Sequence, residues 1–157
     1  MKDDSDSYDS CDIPFFRQLC RMSLIKSRIY CRLYSAKAML KPHIEIYQIV
    51  KELHAELEEW KRDYPLGEVP KVKVAENDFL FGFASIGIQL VYYNALIMIH
   101  RIPLLLKYLI VPREEPEELK SLSKAYASKS AIICANAARN TLKLVHNMPW
   151  GDIAWVW

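Results

Sequence analysis

Residues 79–99 read "FLFGFASIGIQLVYYNALIMI" and hold no charged side chain in 21 consecutive positions. A run of this length can cross a bilayer, and it can also form the central helix of a bundle, apolar on every side. Its polar content weighs on the choice. Ser85, Gln89, Asn94 and the tyrosines at 92 and 93 would lie at membrane depth, and the flanks carry no strong Lys/Arg asymmetry. The other helical segments are amphipathic and need an apolar surface to cover. We read the run as a buried helix, with Gly82 and Gly87 marking a packing face.

The run ends in "HRIPLLLKYLI". Pro103 is expected to break or kink the helix, with a short second piece after it. His100 and Arg101 would then mark where the helix leaves the core. Two roles stay open for them: binding an anion, or satisfying nearby carbonyls and carboxylates. An arginine near a helix C-terminus is favourable on dipole grounds alone.

Upstream, Phe15, Leu19, Met22, Ile25, Ile29, Leu33, Ala36 and Leu40 recur at helical spacing. They predict a helix over 14–39, with Asp12 as cap and Pro42 as terminator. A second helix is predicted over 42–63. Its stripe is Ile46, Ile49, Val50, Leu53, Leu57 and Trp60, with Glu45, Glu52, Glu56, Glu58 and Glu59 mostly off that stripe. Residues 65–78 read as a loop, at most with a short extended piece at 69–74. Asn77 and Asp78 are placed to cap the central helix. Residues 111–118 read as a polar linker. A last helix is predicted over 116–147, its inner face formed by Leu122, Ala125, Ser128, Ile132, Ala135, Ala138, Leu142 and Val145. The fold class is therefore all-α, a multi-helix bundle around a buried apolar helix. The closing "GDIAWVW" reads as a further helix cut short, so apolar faces and self-association are expected.

The apolar fraction of 52% and charged fraction of 25% fit one folded domain of 157 residues. Net charge is +2, and its distribution says more. Residues 1–12 carry five aspartates among serines and read as a disordered acidic tail, with the domain over 13–157. Residues 14–41 are basic without a single acid. That segment could contact nucleic acid or acidic lipid, but the acidic helix that follows explains it equally by mutual pairing.

Signals of catalysis are missing. Cys11, Cys20, Cys31 and Cys134 lie too far apart for a zinc site. His43, His54, His100 and His146 show no helical spacing that would bring two onto one face. There is no nucleophile motif and no glycine-rich phosphate loop. No cofactor is expected in this segment, and no enzyme activity.

Several segments in order carry a resemblance. They are "SLIKSRIYCRLYSAKAM" (23–39), "IVKELHAELEEWKRDYP" (49–65), the residues Gln89, Leu90, Tyr92, Tyr93, Asn94, His100 and Arg101, and "SAIICANAARNTLKLV" (130–145). Together they resemble the regulatory, or middle homology, region of fungal transcription factors of the binuclear zinc cluster (six-cysteine) family. Tyr30, Leu33, Tyr34, Leu53, Leu57, Trp60, Tyr92, Tyr93, Cys134, Ala137 and Ala138 are its packing positions. The resemblance implies an all-helical regulatory domain in a nuclear protein that controls transcription by RNA polymerase II. In such proteins zinc and DNA are held by a separate module, which this chain lacks. It also implies protein partners or self-association, a small-molecule effector, and no membrane. Ile102 departs from the pattern, which has proline directly after His-Arg. The alternative is a helical protein that kept the fold and binds or converts a hydrophobic small molecule. That role would use a cavity reached by Tyr93, His100 and Arg101.

Overall fold

The structure is a computed structural model that describes residues 12–63, 76–108 and 117–146, with side-chain surroundings for 16–63, 85–108 and 119–146. The acidic tail up to residue 11, the loop at 69–74, the linker at 111–116 and the closing "GDIAWVW" lie outside the described residues. The described elements are all helical. They are α1 (Asp12–Ile29), a π-helical turn (Tyr30–Tyr34), α2 (Ala36–Met39), α3 (His43–Asp63), α4 (Glu76–Tyr108) and α5 (Glu117–His146).

Four long helices run alternately up and down. Arg21 meets Asp63, Arg28 meets Glu56 and Arg32 meets Glu52, so α1 and its π-turn lie antiparallel to α3. This is the mutual pairing of basic and acidic helices expected from charge. Each pair is largely exposed and contributes little alone. Tyr92 reaches Glu58 and His100 reaches His54, which sets α4 antiparallel to α3. His100 meets Ser130 and Cys134 faces the Ile97 carbonyl, which sets α5 antiparallel to α4. The central position of α4 follows, because it packs on α1, α3 and α5.

The core is built as the large apolar stripes require. Met22, Ile25, Ile29 and Leu33 are buried, and so is every residue of the α3 stripe from Ile46 to Trp60. From α4, Ile88, Tyr92, Ala95, Ile99 and Ile102 fill the space between them. Residues 85–108 are long and apolar enough to cross a membrane, and 56% of an 18-residue apolar window within them is buried inside this fold.

Five expectations need correction. The first helix does not run unbroken to Met39. It widens into the π-turn at Tyr30–Tyr34 and stops at Ser35, whose extended backbone starts α2 and whose Oγ accepts from the Ala38 amide at 3.2 Å. The extra residue per turn shifts the register, so Ala38 is buried where Ala36 and Leu40 were expected, and both of those are exposed. Asn77 and Asp78 do not precede α4; it begins at Glu76 and they lie in its first turn.

Pro103 neither ends α4 nor marks its exit from the core. The helix continues to Tyr108, and Ile102, Pro103 and Leu106 are all buried. Proline lacks only the bond to the Ile99 carbonyl, and burial against neighbouring helices holds the rest of the helix in place. Ile102, the departure from the family pattern, is simply a core residue at 4% exposure. Among the described residues Gly87 serves no close packing, since a Cβ added there would meet none of them within 4 Å.

The inner face of α5 is displaced from most of the expected positions, although Leu122, one of them, packs against the core. Ile132 is 63% and Leu142 69% exposed, and Ala125, Ser128, Ala138 and Val145 face outward with them. The covered stripe is Ser123, Ala127, Ser130, Cys134, Ala137, Thr141 and Leu144, spaced alternately by four and three. Small side chains there let α5 approach α4 closely. The two serine hydroxyls of the stripe are satisfied by other helices, Ser123 accepting from the Tyr47 hydroxyl of α3 at 3.0 Å and Ser130 pairing with His100 of α4. Thr141 donates to the Ala137 carbonyl within α5.

Candidate functional site

A polar cluster in the core lies where α3, α4 and α5 meet. His54 sits one position from Leu53 at the edge of the α3 stripe, so it is half-buried. His100 is 4% exposed and Ser130 1% exposed. Nδ1 of His100 lies 3.1 Å from Ser130 Oγ, and Nε2 of His100 lies 3.1 Å from Nδ1 of His54. The three side chains form one hydrogen-bonded chain across three helices.

Each bond in that chain holds one proton, so the chain has two neutral arrangements. In one, Ser130 donates to His100, His100 donates to His54, and Nε2 of His54 carries the remaining hydrogen. In the other every donor is reversed and Nε2 of His54 is an acceptor. Both rings are held neutral. Burial, the nearby His54 and the Lys129 charge push His100 down to about 4. Burial also lowers His54, while Glu58 opposes and Lys129 and Lys61 reinforce that shift.

The histidine pair lines a cavity of about 270 Å³. Its apolar wall is Val50, Leu122, Ala125 and Tyr126, and Lys51, Lys129 and Ser130 complete it. Tyr126 is fixed by stacking on Tyr47, with ring centroids 4.6 Å apart. Ser130 is almost wholly covered, and its hydroxyl is engaged with His100. Among the described residues no group of three or more His, Cys, Asp or Glu could hold a metal ion.

The three residues expected to share a ligand site are not brought together. His100 lines the cavity, and Tyr93 and Arg101 do not. Arg101 lies on another side of α4. Its Nε donates to the Tyr34 hydroxyl at 2.6 Å, and its guanidinium sits 4.8 Å over the Tyr34 ring. Tyr34 in turn donates to the Met98 carbonyl at 2.6 Å. Burial raises the Tyr34 pKa, against the pull of Arg101. Tyr93 is half-buried and packs edge-on against Tyr92, 5.2 Å away. Tyr92 stacks on Trp60 and donates to Glu58 at 2.5 Å, and burial first, then that bond, raises its pKa.

The family-motif positions divide by burial. Leu33, Leu53, Leu57, Trp60, Tyr92 and Ala137 are buried. Tyr34, Tyr93 and Cys134 are half-buried, and burial raises the Cys134 pKa. Tyr30 and Ala138 are exposed. His54, Ser130, Lys51 and Lys129 had no warning in the sequence beyond helical phase. His54 borders the α3 stripe, and Ser130 falls on the four-three repeat of α5.

The chain is similar to part of two fungal transcription factors. It is 34% identical over 146 residues to an ABC-transporter-regulating transcription factor of Aspergillus oryzae, and 33% identical to one of the same name from Aspergillus fumigatus. Each alignment covers 90% of this chain and 16% of the relative, so the chain spans about a sixth of the length of these relatives. No family model and no solved structure matches the chain.

Proposed function

We propose that this chain is a regulatory helical region of a fungal transcription factor. It corresponds to the middle homology region of the binuclear zinc cluster family. In this reading it controls transcription by RNA polymerase II in the nucleus, through helix packing and contacts with protein partners or an effector. It does so without binding DNA or zinc, without a membrane and without catalysis. The observation that carries the reading is the similarity to two fungal transcription factors over 90% of the chain. The burial of most of the family's packing positions supports it.

The test is a reporter assay in yeast. The chain is inserted between a heterologous DNA-binding domain and an activation domain, and compared with an unrelated helical spacer of equal length. The expected outcome is a several-fold change in reporter output that is lost when Leu53→Asp breaks the core. Output equal to that of the spacer would overturn the reading.

The alternative, a helical protein that binds a hydrophobic small molecule, is favoured by one observation. The cavity beside His54 and His100 is close to the size of ligand pockets and largely apolar.

A further inference from the structure

The cations of this fold are used unequally. On α1 and its π-turn, Arg21, Arg28 and Arg32 each face a carboxylate on α3. Lys51 and Lys129 form no ion pair among the described residues, and both line the cavity beside the histidine pair. Among the described residues no carboxylate lines it. The acid that acts most on His54 is Glu58, and it is engaged elsewhere: it accepts from the Tyr92 hydroxyl and lies 4.0 Å from Lys61. Among the described residues the cavity therefore combines an apolar wall with charged lining side chains of one sign, Lys51 and Lys129.

We propose that this cavity binds a small organic acid, an amphipathic monoanion with an aliphatic or aromatic body. The body packs on Val50, Leu122 and Tyr126. The carboxylate takes the ammonium groups of Lys51 and Lys129 and the Nε2 hydrogen of His54. Binding selects one of the two arrangements of the hydrogen-bond chain. With an anion present, Ser130 donates to His100, His100 donates to His54, and His54 presents a donor to the ligand. The reverse arrangement would aim the Nε2 lone pair of His54 at a negative charge, which is repulsive. A buried chain from α5 through α4 to α3 thus reports occupancy of the cavity to the core. A neutral amide of the same shape gains the apolar contacts and loses the charge. A cationic amine meets two lysines and is rejected.

This inference deepens the small-molecule reading and does not rest on the transcription reading, whose reporter assay succeeds or fails separately. The experiment is calorimetric titration of the purified chain with hexanoate and 3-phenylpropionate, set against hexanamide, 3-phenylpropionamide and hexylamine, at low salt and neutral pH. Saturable binding of the acids, at least tenfold tighter than their amides, is expected, with no binding of the amine. The Lys51→Gln/Lys129→Gln double variant should lose at least tenfold in acid affinity. Both lysines are exposed, so the exchange leaves the core intact, as far-UV dichroism would verify. Nitrogen-15 spectra of the imidazoles should show His54 moving to the Nε2-protonated form on addition of the acid. Acids that fail to saturate, amides that bind as well as acids, or a double variant with unchanged affinity would each overturn the proposal.

Discussion

Nε2 of His100 stands 3.1 Å from Nδ1 of His54, and the rings meet edge to face at 79°. Burial first, then the neighbouring His54 and Lys129, disfavours the charged form of His100 as long as the core is closed. In the unfolded chain both imidazoles titrate near 6.5, whereas in the fold His100 is pushed down to about 4.

A pH dependence of stability follows. Between about pH 6.5 and 4 the unfolded state binds more protons than the folded state, so stability falls as pH falls through that window. The contribution is fully present above 6.5, and the His100 shift corresponds to about 3 kcal/mol lost by pH 4. Glu52, whose pKa Arg32 and Gln48 hold down, adds a further loss only below about 4.5. Urea midpoints measured from pH 7.5 to 4.5 should decline in the native chain. In His100→Gln, which keeps a hydrogen-bonding side chain without the titration, the slope should be much flatter. Parallel slopes in the two proteins would rule this account out.

The π-turn places Tyr34 where it can donate to the Met98 carbonyl and accept from Arg101 at once. Tyr34→Phe removes both bonds and keeps the ring. It should lower stability by about 0.5–1.5 kcal/mol for the lost hydrogen bonding. Arg101→Met in the Tyr34→Phe background should cost less than in the native chain, because the partner hydroxyl is already gone. A double-mutant cycle in guanidinium checks this, and strict additivity would show that the two side chains do not act together.

The two leucines near the end of α5 give a sharper contrast. Leu144 is 2% exposed and Leu142 is 69% exposed. Leu144→Ala should destabilise by about 2–5 kcal/mol through the cavity it leaves. Leu142→Ala should stay within about 0.5 kcal/mol. Equal losses at both positions would mean that the outer face of α5 is covered in solution.

That contrast also shows what could be read from the residues. The stripes of α1 and α3 were legible because their buried positions are large: Met22, Ile25 and Ile29, then Leu53, Leu57 and Trp60. On α5 the rule reverses. Apart from Leu144, its buried positions are the small Ser123, Ala127, Ser130 and Ala137, while Ile132 and Leu142 lie outside. Ranking side chains by hydrophobicity therefore selects the wrong face, because close approach to α4 demands small groups. The histidine pair was hidden for a different reason. His54 and His100 lie 46 positions apart and meet only across two helices, so no spacing within one helix reveals them. The break at Ser35 and the passage of α4 through Pro103 depend on tertiary packing that local propensity does not contain.

Gly87 offers a test in the opposite direction. It is half-buried within α4, and the space around a new Cβ is open. Nothing among the described residues around it calls for glycine, and glycine inside a helix forfeits backbone entropy. Gly87→Ala should therefore stabilise the chain by about 0.5–1 kcal/mol. For a domain of this size that raises the thermal midpoint by about 2–4 °C per kcal/mol. The same measurement speaks to association. If the open side of Gly87 were covered by a second copy, the added methyl would collide with it, and the midpoint would fall and depend on protein concentration. A rise in midpoint that is independent of concentration is the expected result.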